Sequence, residues 1–504
     1  MTAATQIQSA LSRWGIKGTT LAIGVGFVLG AMVLLRYLGD FLIEPDYLTL
    51  MLVALFFCGL LALAAGYGRD RVQRSRWIIL ILWWGLLVSQ EVFNYHSDVT
   101  SVSASDFAPE AFTEVILWVI VSCGVVVTLL KFPHYLRGMF EGDYKWVTWL
   151  TLYSIVSCAY APSVAFSLAW AFKLALVVLV VHLCSQEMSK VAGIRAFLNT
   201  VLWALVLLIL LPTVRSIFEP DPLAGSTRGA LEFRFLHEAP TEISALSGLL
   251  LVLCLTLYSA KRQRFLIAIA AVSFVLMIIA GGKTGIFAGF VSGILFYAMQ
   301  KRVKAALGFT AVIALGITLA LLFTPLGQYA ANYMKLDEIA SLTGRTEIWA
   351  SSWPLILNKP IFGHGFYSSR FRTLIYSGES FSAIHLHNSF LETVYNNGLV
   401  GLGLLLMVLF VIVRNLWRTI HARASKQVRY LAIGCMAAFV NLFINGMFNA
   451  NFGGRPFAPY MIMIGLVVVS SQLWRIAQAE SARQPAFSSS RQLHKETRQN
   501  AYTS

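Results

Sequence analysis

The sequence has little charge. Only 12% of its 504 residues are Asp, Glu, Lys or Arg, whereas 57% are hydrophobic and the mean hydropathy is +0.70. Soluble domains carry roughly a quarter charged residues, so this composition excludes a soluble globular protein. It predicts an integral membrane protein, and no stretch of the chain indicates a separate soluble domain.

Spaced metal ligands, disulfide patterns and nucleotide-binding loops are lacking as well. The six cysteines lie in apolar runs and are expected to be small core residues: Cys58, Cys123, Cys158, Cys184, Cys254 and Cys435. A P-loop ending at Lys283 would need glycine at Met277 and a preceding strand, so no nucleotide site is expected there. No cofactor and no metal are expected, although His385 and His387 with a distant carboxylate leave a metal site as an alternative.

Apolar runs dominate what is present. Each has about 15 to 20 residues and is bounded by charge, close to the length a helix needs to cross a bilayer. The pattern predicts an all-α integral membrane protein, a polytopic bundle of about 14 transmembrane helices with a large outer loop between late spans. The runs begin near Thr19, Tyr47, Trp77, Val115, Trp146, Val164, Ala196, Ile243, Phe265, Gly285, Ala305, Leu399, Tyr430 and Ala458. The polar N-terminal residues lack a cleavage pattern and predict an uncleaved signal-anchor.

The net charge of +15 follows this topology. If the N-terminus is cytoplasmic, most Lys and Arg fall in inner loops and most carboxylates in outer loops, as the positive-inside rule requires. Both termini are then cytoplasmic. The excess of basic residues is explained by the orientation of the protein in the lipid bilayer and does not indicate a nucleic-acid partner. Lys173 lies within a span, where it either has a direct role or snorkels and pairs with a neighbouring helix.

The outer side, and above all the loop 325–397, carries the polar chemistry. Thr241 is expected to cap one helix, and a second helix is expected from Thr343 to Pro354. Ser389 and Glu392 have capping-box spacing, which predicts a helix starting at Ser389. The outer side offers several cations and histidines for a site, among them Arg215, Arg228, Arg234, Lys283, Arg345, Arg455, His237, His364, His385 and His387.

Cations at span ends beside glycine turns suit a diphosphate, and a histidine beside them suits a proton acceptor. The same loops could instead be solvated surface with weak ion pairs, and the histidines could be structural.

Several motifs of this loop resemble the shared domain of bacterial O-antigen ligases and Wzy-type polysaccharide polymerases. They are Gly344-Arg345 with Trp349, then Pro360-Ile361-Phe362-Gly363-His364-Gly365, His387-Asn388-Ser389-Phe390-Leu391 and Gly398-Leu399-Val400-Gly401. The resemblance covers roughly residues 200–445. It implies a catalytic base at His387 and a diphosphate-binding arginine at Arg345.

The resemblance also suggests further diphosphate-binding residues among the outer cations. The resemblance places Lys283 where the family has a Ser-Arg pair, and it leaves Arg234 and Arg228 as competing contacts. Asn388, His237, His364, His385 and Arg455 are candidate supporting residues.

The resemblance implies a metal-independent, inverting glycosyltransferase of the bacterial inner membrane. Its donor would be a glycan on undecaprenyl diphosphate, transferred at the periplasmic face to a lipid-linked acceptor glycan in polymerisation of exopolysaccharide or O-antigen. The alternatives are ligation to lipid A core, a lipid-linked glycan flippase, and a scaffold for other polysaccharide assembly proteins. The expected units are transmembrane helices (1–195), the catalytic membrane domain (196–445), a last outer loop with the final span (446–474) and a disordered cytoplasmic tail (475–504).

Overall fold

A computed structural model describes residues 133–218, 240–280, 282–323, 345–370 and 385–483, with helical residues at 79–83, 85–87, 118–119, 121–126 and 128–129. Within these ranges the regular structure is entirely helical, which confirms the all-α prediction for this part of the chain. After the 3-10 helix Pro133–Phe140, the α-helices are α1 (Lys145–Ser157), α2 (Val164–Glu187), α3 (Val191–Phe218), α4 (Pro240–Lys261), α5 (Phe265–Ile279), α6 (Lys283–Met299), α7 (Val303–Phe323), α8 (Arg345–Asn358), α9 (Ser389–His421), α10 (Lys426–Phe448) and α11 (Ala458–Arg483).

Of the described helices, 6 are long and apolar enough to cross a membrane, namely α2, α3, α4, α9, α10 and α11. Helices α5, α6 and part of α7 are apolar but shorter. Each span expected from Trp146 onward coincides with a helix, although α1, with 13 residues, is shorter than the roughly 20 that a bilayer requires. The spans near Thr19 and Tyr47, and the signal-anchor, lie outside the described residues. The total of about 14 spans therefore stays a prediction.

Small residues bring α4 and α6 together at the centre of the bundle. A Cβ added at Gly248 of α4 would lie 3.3 Å from the carbonyl oxygen of Gly285 and from the Cα of Gly289, both in α6. Such close approach is typical of membrane helices, where dispersion contacts replace the hydrophobic effect between neighbours. Helix α4 also packs against α3, α5 and α10, and α10 connects this group to α9, which packs on α1 and α11.

Helix α8 packs against the beginning of α9. Its Ile348 and Ile356 form a small apolar cluster with Leu386 and Tyr395, separate from the main core. Trp353 on the same helix is exposed. The loop 325–397 therefore contains an ordered helix that packs on the first turns of α9.

The ends of the helices gather at two opposite ends of the bundle. At one end, Asp143 accepts hydrogen bonds from Arg414 and Asn415 of α9 and from Ser471 of α11, at 2.5, 2.7 and 2.9 Å. At the other end, residues 359–370, 385–388 and 449–457 surround the start of α9. This grouping agrees with the predicted alternation of inner and outer loops. Which end faces the cytoplasm stays a prediction.

Two predicted helix boundaries are wrong. Thr241 is not the cap of α4, because the helix already begins at Pro240, a residue whose missing N–H costs nothing at a first helical position. Pro354 does not end α8, which continues to Asn358. The carbonyl left without its usual N–H donor belongs to Ala350, which is exposed.

The predicted tail also begins too early. Helix α11 continues past Arg475 to Arg483. Ala477 is still buried in the core, and a carboxylate oxygen of Glu480 accepts the backbone N–H of Ser425 at 2.6 Å. Among the described cysteines, Cys123 is exposed, whereas the other four are buried as expected.

Candidate active site

Helix α9 begins where the sequence predicts, at Ser389, but its cap is Asn388. The side-chain oxygen of Asn388 accepts hydrogen bonds from the backbone N–H groups of Phe390 and Leu391 at 2.9 and 3.0 Å. Its amide nitrogen donates to the carbonyl of Met447 at 2.9 Å. The Asn388 side chain therefore provides partners for two N–H groups at the start of α9 and also binds the end of α10.

Buried polar side chains in the first turns of α9 hold the neighbouring segments in place. The Ser389 hydroxyl donates to the Asn449 carbonyl at 2.9 Å. Two turns further on, the Asn396 side chain accepts the N–H of Ser369 at 2.9 Å and donates to the Gly453 carbonyl at 3.1 Å. The residues before α9, the turn after α8 and the loop before α11 thus meet at one place.

Glycines allow the turn after α8 to dock against a break in α9. Gly363, Gly365 and Gly398 have φ values of 74°, 103° and 62°, which side chains rarely tolerate. The N–H of Leu399, just after the break, donates to the Pro360 carbonyl at 2.8 Å. The glycines of the two motifs, far apart in sequence, therefore form one structural unit.

His364 lies within this unit as a packing residue. Its Nε2 is 2.9 Å from the Leu355 carbonyl oxygen, and its ring stacks on Tyr395 with centroids 4.7 Å apart. Burial lowers the pKa of His364 below its ordinary value, so the ring is neutral near neutral pH. These contacts join α8 to α9.

His387 stands directly before the cap of α9. It has φ 47°, an uncommon left-handed conformation for a residue with a side chain, and it is half-buried. The N–H groups at the start of α9 present partial positive charge beside it. The backbone thus places an imidazole where an anion would be attracted.

His385 has a different environment. Its ring stacks on Tyr367 with centroids 6.0 Å apart and meets Phe457 edge-on at 6.2 Å. The Nδ1 atom is buried and has no hydrogen-bond partner among the described residues. Burial, and then the charges of His387 and two arginines, lower the pKa of His385 far below its ordinary value. His385 is therefore a neutral side chain and a weak proton acceptor.

Arg345 and its helix α8 contact residues around the start of α9. Its Nη2 atom lies 3.5 Å from the side-chain oxygen of Asn449. On the same helix, Trp349 donates its indole N–H to the Leu386 carbonyl at 2.8 Å. Burial lowers the pKa of Arg345, yet a guanidinium stays charged at physiological pH. An anion bound here would offset the cost of that burial.

Lys283 begins α6 at this same end of the bundle and is exposed. The preceding Gly282 accepts the Ser244 hydroxyl of α4 at 3.1 Å. A Cβ at Gly248 would lie 3.2 Å from Asn441 of α10, so α4 starts beside the end of α10. Lys283 therefore shares an end of the bundle with Asn449 and Arg345.

The family model of O-antigen ligase (Wzy_C) matches residues 241–406. The chain carries an O-antigen ligase domain. The match runs from the first turn of α4 into α9 and includes Lys283, Arg345 and His387. It confirms the family that the sequence motifs resemble. Among curated proteins, no relative matches the chain.

Three predicted residues cannot be placed relative to the O-antigen ligase domain. Arg228, Arg234 and His237 precede it and lie outside the described residues, so their roles stay predictions. In the part of the chain that the structure describes, no three His, Cys, Asp or Glu side chains are grouped closely enough to hold a metal ion.

An aromatic cluster joins the O-antigen ligase domain to α2. Tyr367 stacks on Phe166 with centroids 5.6 Å apart and meets Trp170 edge-on at 5.9 Å. The guanidinium of Arg455 lies 4.4 Å from the Trp170 centroid, and that of Arg370 lies 5.2 Å from the Phe166 centroid. Burial raises the pKa of Tyr367, and the charges of both arginines act in the opposite direction. Two planar cations are therefore held beside the histidines.

Lys173 lies below this cluster, fully buried in α2. Its ammonium is 5.1 Å from the Trp118 centroid and 5.2 Å from the Trp170 centroid. Trp170 thus contacts two cations, Lys173 and Arg455. The buried charge of Lys173 therefore lies against two aromatic rings, and one of them, Trp170, also contacts Tyr367 of the O-antigen ligase domain.

The sequence prediction omitted Arg370, Tyr367 and Trp170. Arg370 had a usable signal, because arginines are uncommon in outer loops and this one follows the Gly-His-Gly turn. Trp170 stands three residues before Lys173, a spacing that places both on one helix face. Tyr367 offered no comparable signal.

Proposed function

We propose that the protein is a membrane glycosyltransferase that transfers a glycan from undecaprenyl diphosphate to an acceptor sugar at the periplasmic face, polymerising repeat units of exopolysaccharide or O-antigen. The observation that carries this proposal is that α8, the helix carrying Arg345, contacts the segment carrying His387, within an O-antigen ligase domain. Trp349 of α8 donates to the carbonyl of Leu386, next to His387. Arg345 contacts Asn449, whose carbonyl accepts the Ser389 hydroxyl at the start of α9.

His387 acts as the general base. It accepts the proton of the acceptor hydroxyl while that oxygen attacks the anomeric carbon of the donor sugar. The bond from this carbon to the diphosphate breaks on the opposite side, which inverts the anomeric configuration. A positioned base contributes about 10²- to 10⁴-fold to such a step.

Cations of the chain stabilise the departing lipid diphosphate. Arg345 offers a planar fork for two phosphate oxygens, and Lys283 offers a point charge. Arg234 or Arg228 completes the set. Because these groups supply the positive charge, the proposed reaction proceeds without a metal ion.

The test uses the purified protein in lipid nanodiscs with a lipid-linked repeat unit. We expect the glycan to lengthen in the presence of a chelator, and His387→Ala to lower turnover at least about 100-fold while lipid diphosphate still binds. His421→Ala, at the exposed opposite end of α9, is the matched control and should keep full turnover. Wild-type turnover in His387→Ala would refute the assignment of His387 as the base. A strict metal requirement would refute the metal-independent reaction.

Ligation to lipid A core is a second candidate, favoured by the name of the matching family. The same assay with a lipid A core acceptor separates the two, because a ligase modifies that acceptor and a polymerase extends the lipid-linked chain. A flippase would carry the glycan across vesicles without forming a glycosidic bond. Apart from Lys173, the described site cations lie at one end of the bundle, which favours transfer over transport.

A further inference from the structure

Glu392 is a fully buried carboxylate in the first turn of α9. Its two oxygens bind two different segments. Oε1 accepts the hydroxyl of Ser369, in the turn after α8, and Oε2 accepts the backbone N–H of Leu386 at 3.0 Å. The Asn396 amide also donates to Oε1 at 3.4 Å. A carboxylate at this position is further stabilised by the partial positive charge at the helix N-terminus.

This arrangement differs from the capping box that the spacing of Ser389 and Glu392 predicts. In a capping box the glutamate returns to the N–H of the cap itself, which is Asn388 here. Glu392 instead reaches the N–H of Leu386, two residues earlier. The bond therefore holds the backbone between His385 and His387 rather than the helix end.

Both segments held by Glu392 contain a residue in a left-handed conformation. His387, with φ 47°, follows Leu386, and Tyr367, with φ 55°, lies two residues before Ser369. Such conformations cost free energy and persist only where the surrounding contacts fix them. Glu392 supplies one of those contacts on each side.

We infer that Glu392 is a positioning residue that fixes His387 relative to the turn carrying Arg370. Its role rests on the proposed function, because it acts on the reaction through His387. It does not touch the reacting atoms, since its oxygens are buried and bound to Ser369 and Leu386.

The kinetic test compares Glu392→Ala, Glu392→Gln and the control Glu347→Ala, an exposed carboxylate in the first turn of α8. A misplacement of about 1 Å can lower a rate about 100-fold, so we expect Glu392→Ala to lower kcat by about that factor with little change in KM for the lipid-linked donor. Glutamine should restore most of the rate, because its oxygen accepts the Leu386 N–H while its amide donates to the Ser369 hydroxyl. Glu347→Ala should match the wild type.

A double variant separates positioning from general damage. If Glu392 acts through His387, then His387→Ala with Glu392→Ala should be no slower than His387→Ala alone. A further loss of the same size as in the single Glu392→Ala variant would overturn the inference. So would a Glu392→Gln protein as slow as Glu392→Ala, because the charge rather than the position would then matter.

Hydrogen exchange tests the contact between Glu392 and Leu386 independently of activity. In Glu392→Ala the amides of residues 385–388 should exchange at least about tenfold faster, while those of α10 stay unchanged. Unchanged exchange in residues 385–388 would refute the positioning role even if His387 is the base. Conversely, fast exchange together with an active His387→Ala variant would refute the proposed base and leave the structural hold of Glu392 intact.

Discussion

Gly398→Ala should strongly destabilise the protein. Gly398 breaks α9 with φ 62° and ψ −167°, a combination available almost only to glycine. An added Cβ would overlap the backbone of Ile361, and it would lie 2.6 Å from the nitrogen of Phe362. Because the overlap is with backbone, no side chain can rotate away to relieve it.

The expected cost combines two effects. Forcing a side chain into this backbone region costs of order 1–3 kcal/mol, and overpacking a well-packed contact typically costs about 1–3 kcal/mol more. The alternative is for the turn to move away, which would weaken the bonds from the N–H groups of Leu399 and Val400 to the Pro360 and Ile361 carbonyls. Each such bond contributes about 1 kcal/mol. We therefore expect a loss of about 2–6 kcal/mol, a large part of a typical folding free energy.

Gly403→Ala is the matched control in the same helix. An added Cβ there meets no atom within 4 Å. Alanine in a regular helix is favoured over glycine by about 0.5–1 kcal/mol, so this variant should be as stable as the wild type or slightly more. Apparent melting temperatures of the purified variants, measured by size-exclusion chromatography after heating, provide the comparison. Equal melting of the two variants would refute the role given to the Gly398 break.

Two further predictions concern the opposite end of the bundle and the aromatic cluster. Burial alone would raise the pKa of Asp143, but hydrogen bonds from Asn415, Arg414 and Ser471 bring it below its ordinary value. Asp143→Asn should therefore lower the melting temperature near neutral pH, and the loss of stability should be about 1 kcal/mol because the ion pair is partly exposed to solvent. The difference from the wild type should begin to shrink as the pH falls below about 4 and should vanish once the pH is below the lowered pKa of Asp143, where the carboxylate of the folded wild type is protonated; a constant difference would contradict the assignment. Arg455→Lys keeps the charge but loses the planar stack on Trp170, so stability should fall by about 1 kcal/mol, and an unchanged melting temperature would show that the stack contributes nothing.

Helix positions could be predicted from the sequence because hydrophobic run length reports them directly. The start of α9 at Ser389, ten residues before its apolar run, was predicted instead from capping-box spacing, and its cap was assigned one residue too late. Asn388 and Ser389 are both good capping residues, and only the fold shows that the Ser389 hydroxyl is already bound to Asn449.

Contacts between distant segments could not be predicted in the same way. The stack of Arg455 on Trp170 joins the last outer loop to α2, and no local pattern in either segment requires the other. The same holds for the bond from Glu392 to Leu386, whose spacing indicates an ordinary capping box. The approximate positions of the helices follow from the sequence, whereas the partner that each polar group finds depends on tertiary packing.

The break in α9 explains why two distant glycine motifs belong together. A helix that stops at Gly398 and starts again leaves the N–H groups of the next residues without partners, and such groups are costly near a bilayer. The carbonyls of Pro360 and Ile361 supply those partners, while Gly363 lets the turn approach to where a Cβ would lie 2.5 Å from the Asn396 carbonyl oxygen. The turn after α8 therefore supplies the backbone hydrogen bonds that are missing at the break. This allows α9 to combine polar, buried first turns with an apolar span after Gly398.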